Sequence, residues 1–530
     1  MAKTSTKRST ILIAILTLFS AVLGFGRESY TAYLFGASSL TDVYFVAGMV
    51  PDVIAGWIGY TLTRAIVPSI KKEINNKGSS AKLISATFYI TLITSIVLSI
   101  ITFFSKKEIL STLASNFNEV QYSVGSNMLG IMVIAIVFSS LSGVLWGIHN
   151  AYEEFSYPAL TGVLYNLLFL ITLVLLQRWF GIYSLAIGLV AGGIGKFIIQ
   201  FVPLFKKKIL NLRFRVWHTE MPLVFQSMIP IFLSQLVGQI NQVVDRIVAS
   251  GLPQGQLSDL NFASKLGMLP ISLIGSSIAT TIYSRFVTHT LEKDEVELKR
   301  LISLGLGWMC FFGIVIFSGL FFYKNTLISI FYYHGKFAIN DVFLSAKPMA
   351  VYGIFSTAYL FVPILIHFFY ARNEGKFVLI SSAIAVGFYV FTSSTFVEYL
   401  GIIGLALANG LSQLIYVTIM YSTMIKRLNW SFRSSIKSIL NIGFPSGIAF
   451  LIGVVIVCMT WKEPELGNKL TITIRGALGL FAGCLSVLIY SKLNPNNPTC
   501  TFVLNFISKI QTLTRRVLSK LKSKLLGYGS

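Results

Sequence analysis

The sequence has few charged residues for its length, and few of those are acidic. Charged residues make up 12% of the 530 residues, against about 25% in soluble domains, which is too few to cover a soluble globule. Lys and Arg number 43 against 20 Asp and Glu, and they stand in short runs between apolar segments. No polar stretch is long enough to fold alone and carry a nucleic-acid site. We therefore predict anionic membrane lipids, not nucleic acid, as the partner of the basic residues.

Cysteine and catalytic motifs are also scarce. The four cysteines form no CxxC pair and no Cys/His cluster, so neither a disulfide framework nor a metal site is indicated. The chain lacks a Walker A motif, and with it an ATPase of its own, and neither G-x-S-x-G nor H-E-x-x-H occurs. The sequence predicts a protein that is not an enzyme and needs no cofactor, with the membrane potential or an ion gradient as its candidate energy source.

Long apolar segments dominate the sequence instead. A spanning helix needs about 20 mostly apolar residues, and the run from Ile11, which lacks an A-x-A cleavage site, is the first that qualifies. The qualifying segments start near residues 10, 42, 82, 122, 157, 182, 221, 259, 301, 347, 376, 401, 436 and 471. The predicted fold class is an all-α polytopic membrane protein with about 14 transmembrane helices.

The distribution of Lys and Arg over the connections predicts the topology. With a cytoplasmic N-terminus, most basic residues of the connections fall on the inside, so both termini are predicted to be cytoplasmic. Between Phe502 and Leu526 apolar residues recur at helical spacing, and the other face is basic. This pattern is typical of an amphipathic helix on an anionic leaflet, and a disordered basic tail is the alternative.

Two segments of the chain resemble each other. Leu40–Pro51 and Leu257–Pro270 both begin with a hydroxyl residue, Asp and a Phe three positions later, and both end in Gly-Met-aliphatic-Pro. An offset of six helices between the copies predicts two six-helix bundles related by a pseudo-two-fold axis. The predicted domains are the N-terminal bundle 1–215, the C-terminal bundle 216–430, two additional helices in 431–495 and the cytoplasmic tail 496–530.

Charged residues inside the predicted spans are the candidate site residues, because an ionised side chain near the bilayer centre costs at least ~2.5–3.5 kcal/mol. Arg27, Arg64, Arg246 and Lys265 give this set a cationic balance, and arginine suits phosphate oxygens. A drug or cation exporter would carry uncompensated carboxylates instead. We predict an anionic substrate in a cavity between the bundles, with Asp42 as a gating carboxylate that pairs with Arg27 or Lys265 in one state.

Other charges in the spans have simpler explanations. Asp52 lies near a predicted helix end, where a side chain reaches the interface. Lys196 follows Gly192, Gly193 and Gly195, which predict close helix packing around it. A lone buried lysine is therefore the alternative to a role in the site. Neither residue is included in the predicted site.

Several motifs resemble the MurJ (MviN) family of lipid II flippases, which belongs to the MOP transporter superfamily. They are Leu23–Glu28, Leu34–Ser38, Thr41–Ala47, Val244–Arg246, Ala249–Pro253, Leu260–Ala263, His334–Phe337 and Phe369–Arg372. The resemblance implies two six-helix bundles plus two further helices. It also implies alternating-access translocation of an undecaprenyl-diphosphate-linked saccharide to the outer leaflet of the bacterial cytoplasmic membrane. Arg27 and Asp42 match positions of the family pattern, and Lys265 stands where the family often has Arg.

The chain departs from that pattern at three places. Ala21 and the pair Ala55–Gly56 stand where the family is often basic, and Ser264 replaces an Asp. Lipid II and a related capsule, exopolysaccharide or teichoic-type precursor are therefore both candidate substrates, with the cell-envelope synthesis machinery as a candidate partner. The alternatives are a multidrug/cation antiporter of the same superfamily and, less favoured, a polyprenyl-glycan enzyme, for which the outside loop near 324–347 is too short.

Overall fold

The computed structural model describes residues 2–75, 80–210, 213–461, 469–495, 497–498 and 500–501. The described residues form a succession of α-helices joined by short connections. The helices are α1 (Ala2–Phe35), α2 (Ser39–Asn75), α3 (Ser80–Phe104), α4 (Lys106–Leu113), α5 (Glu119–Ala151), α6 (Ser156–Phe180), α7 (Tyr183–Lys206), α8 (Met221–Ala249), α9 (Gln256–Leu291), α10 (Glu295–Phe322), α11 (Lys324–Tyr332), α12 (Ile339–Ile354), α13 (Ser356–Ala371), α14 (Gly375–Leu400), α15 (Ile402–Arg427), α16 (Phe432–Thr460) and α17 (Lys469–Leu493). The predicted amphipathic tail falls outside these residues.

The membrane spans agree with the apolar pattern. Among the described residues, 11 helices are long and apolar enough to cross a membrane, and up to 13 spans result if two bent pairs are counted as one span each. The bent pairs are the two halves of α8, at 46°, and α12 with α13, at 49°. These thirteen spans match the second to fourteenth predicted spans. The first predicted span lies in α1, which is not among the thirteen. The all-α polytopic membrane fold is therefore confirmed, with 11 to 13 spans against the 14 predicted.

The chain forms two compact units. Unit 1 consists of Met1–Phe262, Tyr332–Ser345 and Val386–Leu405, and unit 2 of Ala263–Phe331, Ala346–Ala385 and Ala406–Ser530. The predicted domain boundaries at residues 215, 430 and 495 stay a prediction.

Close packing of α2 against α5 builds the centre of unit 1. A Cβ atom at Gly143 would lie 2.8 Å from the carbonyl carbon of Gly59, so the two helix backbones touch. The Thr63 hydroxyl donates to the Gly143 carbonyl at 2.5 Å across this contact. Ile66 and Ile148, both fully buried, lie in the apolar cluster beside it. Small residues allow this approach where the bilayer supplies no hydrophobic force between helices.

Unit 2 has its own core, in which the last two helices take part. Phe450 and Val454 of α16 pack with Val487 of α17 and Phe311 of α10. Arg475 of α17 is buried, and its guanidinium carbon lies 5.8 Å from the ring centroid of Tyr323. The two C-terminal helices are thus packed into this unit rather than standing apart from it.

Candidate functional site

A cavity of about 800 Å³ lies inside unit 1, among α2, α5, α6 and α7. Residues of α2 form its long wall, because Asp52, Gly56, Tyr60, Arg64 and Pro68 line it on successive turns. At a rise of 1.5 Å per residue, Asp52 and Arg64 are about 18 Å apart along the helix axis. A carboxylate and a guanidinium therefore line the cavity at well separated points along α2.

The facing walls of the cavity are rich in hydrogen-bonding groups. They combine hydroxyls, an amide, an indole and an ammonium group. These are Ser139, Ser142, Trp146 and Asn150 of α5, Thr161 of α6 and Lys196 of α7. The lining thus holds two cations and one carboxylate, together with neutral hydrogen-bond donors and acceptors. Such a cavity suits a hydroxylated ligand with negative charge.

Lys196 and Arg27 share one aromatic partner. The Lys196 ammonium lies 4.6 Å from the centroid of the Tyr165 ring, and the Arg27 guanidinium carbon lies 5.4 Å from the same centroid. Arg27 also lies 4.9 Å from the Phe169 ring and forms an ion pair with Glu28 at 2.6 Å. Tyrosine faces attract cations because the ring quadrupole is negative there. Tyr165 therefore holds two positive charges beside the cavity.

The carboxylate of Asp42 holds the start of α9. Its Oδ2 accepts from the Gly255 N–H at 2.6 Å, and its Oδ1 accepts from the Ser258 N–H at 2.7 Å and the Ser258 hydroxyl at 2.6 Å. Asp42 is only 4% exposed, and an anion at a helix N-terminus is favoured by the unpaired amides there. Gly255 has a φ of +89°, and a Cβ there would lie 2.5 Å from the Ala37 carbonyl oxygen. A larger residue would therefore push the two connections apart.

Asp259, the counterpart of Asp42 in the internal repeat, links a third segment of unit 1 to the connections around Asp42 and Gly255. It accepts from the Ser345 hydroxyl of α12 at 2.8 Å. Nearby, the Lys336 N–H donates to the Tyr33 carbonyl at 2.9 Å. The repeated Asp residues thus tie together the segments around residues 36–42, 250–259 and 333–345.

Arg246 lies in the last turn of α8, next to this network. With the amide of Asn261 placed so that its oxygen faces Arg246, the guanidinium donates to that oxygen at 2.9 and 3.2 Å. Its guanidinium carbon lies 5.8 Å from the Phe45 ring, and it interacts electrostatically with Asp42. Arg246 therefore faces the joined connections.

The five predicted site residues fall into different places. Arg64 lines the cavity and stacks on Tyr60 at 4.2 Å, and Arg27 contacts the rings of Tyr165 and Phe169. Asp42 holds the joined connections, and Arg246 lies next to them. The carboxylate partner of Arg27 in this structure is Glu28 and not Asp42. Lys265 is an exposed residue of α9 in unit 2.

Sequence reasoning left out two charged residues of the cavity, Asp52 and Lys196. For Asp52 the available signal was that it is charged and lies in the same predicted span as Arg64. For Lys196 the signal was Gly192, one turn earlier on the same face, where a Cβ would lie 2.5 Å from the Tyr165 ring.

Comparison with known proteins gives consistent results. The sequence model of the family described as lipid II flippase MurJ matches residues 31–470. The lipid II flippase MurJ of Burkholderia cenocepacia is 27% identical over 435 residues, which cover 79% of this chain and 84% of that protein. A solved structure of lipid II flippase MurJ in an inward closed conformation matches with a TM-score of 0.78 at 24% identity, covering 91% of this chain and 99% of that one. An inward-facing multidrug MATE transporter of the MOP superfamily matches with a TM-score of 0.67 at 15% identity, covering 79% and 98%.

Proposed function

Because the chain belongs to the MurJ family of lipid II flippases, we propose that it carries lipid II, an undecaprenyl-diphosphate-linked saccharide, from the inner to the outer leaflet of the bacterial cytoplasmic membrane. The match of the family model over residues 31–470 carries this proposal. The chain is a multi-pass membrane transporter and not an enzyme.

The charge of the cavity in unit 1 supports an anionic cargo. Arg64 and Lys196 line this cavity together with Asp52, so the lining has an excess of one positive charge. A diphosphate or a carboxylate gains charge-assisted hydrogen bonds from such groups. A cation or cationic drug would meet repulsion from two of the three charges, and this is the observation that places the antiporter alternative second.

We assign different roles to the predicted site residues. Arg64 would bind the polar headgroup directly, and Arg27 would contribute positive charge from behind Tyr165. Asp42 and Arg246 would hold the connections of unit 1 in one state and release them in another, as alternating access requires. Lys265, an exposed residue of α9, would contact the headgroup. Both termini would lie in the cytoplasm, where the basic connections meet anionic lipids and the cell-envelope synthesis machinery is within reach.

Depletion of the protein in its native host, followed by chemical identification of the accumulating lipid-linked intermediate, tests the function. We expect lipid II to accumulate in the inner leaflet and the wild-type gene to reverse this. Accumulation of a different polyprenyl-linked glycan, with lipid II at its normal level, would contradict lipid II as the cargo and favour a capsule or teichoic-type precursor.

A further inference from the structure

We infer that Lys196 of α7 is an anion-binding residue of the cavity in unit 1, which binds a phosphate or carboxylate group of the headgroup. The inference rests on the proposed function for the identity of the headgroup. It adds a binding residue from a helix that none of the predicted site residues occupies.

The position of Lys196 is built by its neighbours. Gly192 lies one turn before it on α7, and the Tyr165 ring packs directly against that glycine, since a Cβ there would lie 2.5 Å from the ring. The same ring then lies 4.6 Å from the Lys196 ammonium. Stacking on a fixed ring restricts a side chain that otherwise has about 2 kcal/mol of rotamer entropy. The ammonium is therefore held at the cavity wall before a ligand arrives.

The electrostatic surroundings of Lys196 favour binding of an anion. Burial has the largest effect on the Lys196 ammonium and disfavours its charge, whereas Asp52 attracts it and Arg27 repels it. A bound anion would offset the cost of burying this charge. Arg27 has its own carboxylate partner in Glu28 at 2.6 Å. Asp52 is exposed to the cavity, so its attraction for Lys196 is weakened by water. Lys196 would bind an anionic group of the ligand, and Arg64 adds a second positive charge to the lining. Asp52 would then disfavour ligands of higher charge and assist release.

The remaining lining fits a saccharide that carries this anion. Tyr60 and Trp146 offer aromatic faces, and Thr63 and Asn150 offer neutral hydrogen-bonding groups in the same cavity. A volume of about 800 Å³ lies within the range of about 300–1,000 Å³ that is usual for sites of drug-sized ligands. The cavity thus accommodates part of a glycan headgroup with one anionic group, and not the polyprenyl chain.

Binding to the purified full-length protein in detergent tests the inference. Trp146 lines the cavity, so the fluorescence change that is lost in Trp146→Phe reports this site. The probes are inorganic pyrophosphate, which represents the diphosphate, and N-acetylmuramoyl pentapeptide, which carries carboxylates only. A charge-assisted hydrogen bond is worth about 1.5–3 kcal/mol, so we expect Lys196→Gln to weaken binding of one probe by about 10- to 100-fold. Lys196→Arg should retain binding within about threefold.

Lys106→Gln is the matched control, because Lys106 also stacks on an aromatic ring, at 4.5 Å from Phe103, but is absent from the cavity lining. It should bind both probes like the wild type. Selective loss of pyrophosphate binding assigns Lys196 to the diphosphate, and selective loss of peptide binding assigns it to a carboxylate.

Rescue of flippase-depleted cells by the wild-type gene separates the inference from the proposed function. Wild-type rescue together with undiminished binding of both probes by Lys196→Gln would overturn the inference and leave the function standing. Loss of probe binding in Lys196→Gln, together with failure of the wild-type gene to rescue the cells, would support the anion site and contradict lipid II as the cargo. Absence of binding by the wild-type protein would also overturn the inference.

Discussion

Removal of the Asp42 carboxylate should open the start of α9 locally. Asp42→Ala leaves the N–H groups of Gly255 and Ser258 and the Ser258 hydroxyl without their acceptor. Each such loss costs about 1–3 kcal/mol in a buried site, and the three are not additive because they share one partner. We take about 3 kcal/mol for the whole change. Such a loss raises the population of the open segment by roughly 100-fold.

Amide hydrogen exchange of the purified protein measures this opening directly, because exchange through local unfolding follows the free energy of that segment. Peptides that cover residues 252–261 should exchange roughly 100-fold faster in Asp42→Ala than in the wild type. Ser258→Ala removes only one of the three bonds, at about 1.5 kcal/mol, so its effect should be near tenfold.

Asp52→Ala is the control for this experiment. Asp52 lies on the same helix and is exposed, so its removal should leave exchange at residues 252–261 unchanged. An acceleration below about threefold in Asp42→Ala, or an equal acceleration in Asp52→Ala, would refute the conclusion that this carboxylate holds the connection.

Three further predictions test other parts of the structure. Gly143→Leu should destabilise the protein by about 1–3 kcal/mol, since the added side chain must separate α2 from α5. The midpoint of thermal unfolding should fall. The control Gly26→Ala, whose Cβ would have open space around it, should leave the midpoint unchanged. Arg27→Ala and Lys265→Ala should each abolish rescue of depleted cells at wild-type protein levels; normal rescue by both variants would contradict their assignment to substrate binding. The hydrogen bond to Glu154 raises the pKa of Lys207 above its ordinary 10.5. The pair is therefore intact below pH 10.5 and is lost as the pH rises through the raised pKa. Lys207→Gln should differ from the wild type in its thermal unfolding at neutral pH and match it at a pH above the raised pKa.

The sequence alone determined the class of the fold and most of its spans. Apolar runs of about 20 residues are sufficient because the bilayer requires every backbone group to be bonded within a helix. The sequence also showed the repeat around Asp42 and Asp259 and the motifs around Arg27, because each is a pattern of neighbouring residues that can be recognised without a structure. The same apolar pattern placed the intramembrane charges on helices, including Arg64 on α2.

Only the tertiary structure decided which charges meet. Asp42 and Gly255 are separated by more than two hundred residues, and nothing in the local pattern shows that the carboxylate caps α9 rather than pairing with Arg27. Lys196 looked like a lone buried lysine until Tyr165 and Asp52 were seen beside it. A charge in a membrane helix takes its role from its partners on other helices, and those partners are chosen by packing at residues such as Gly143 and Gly192.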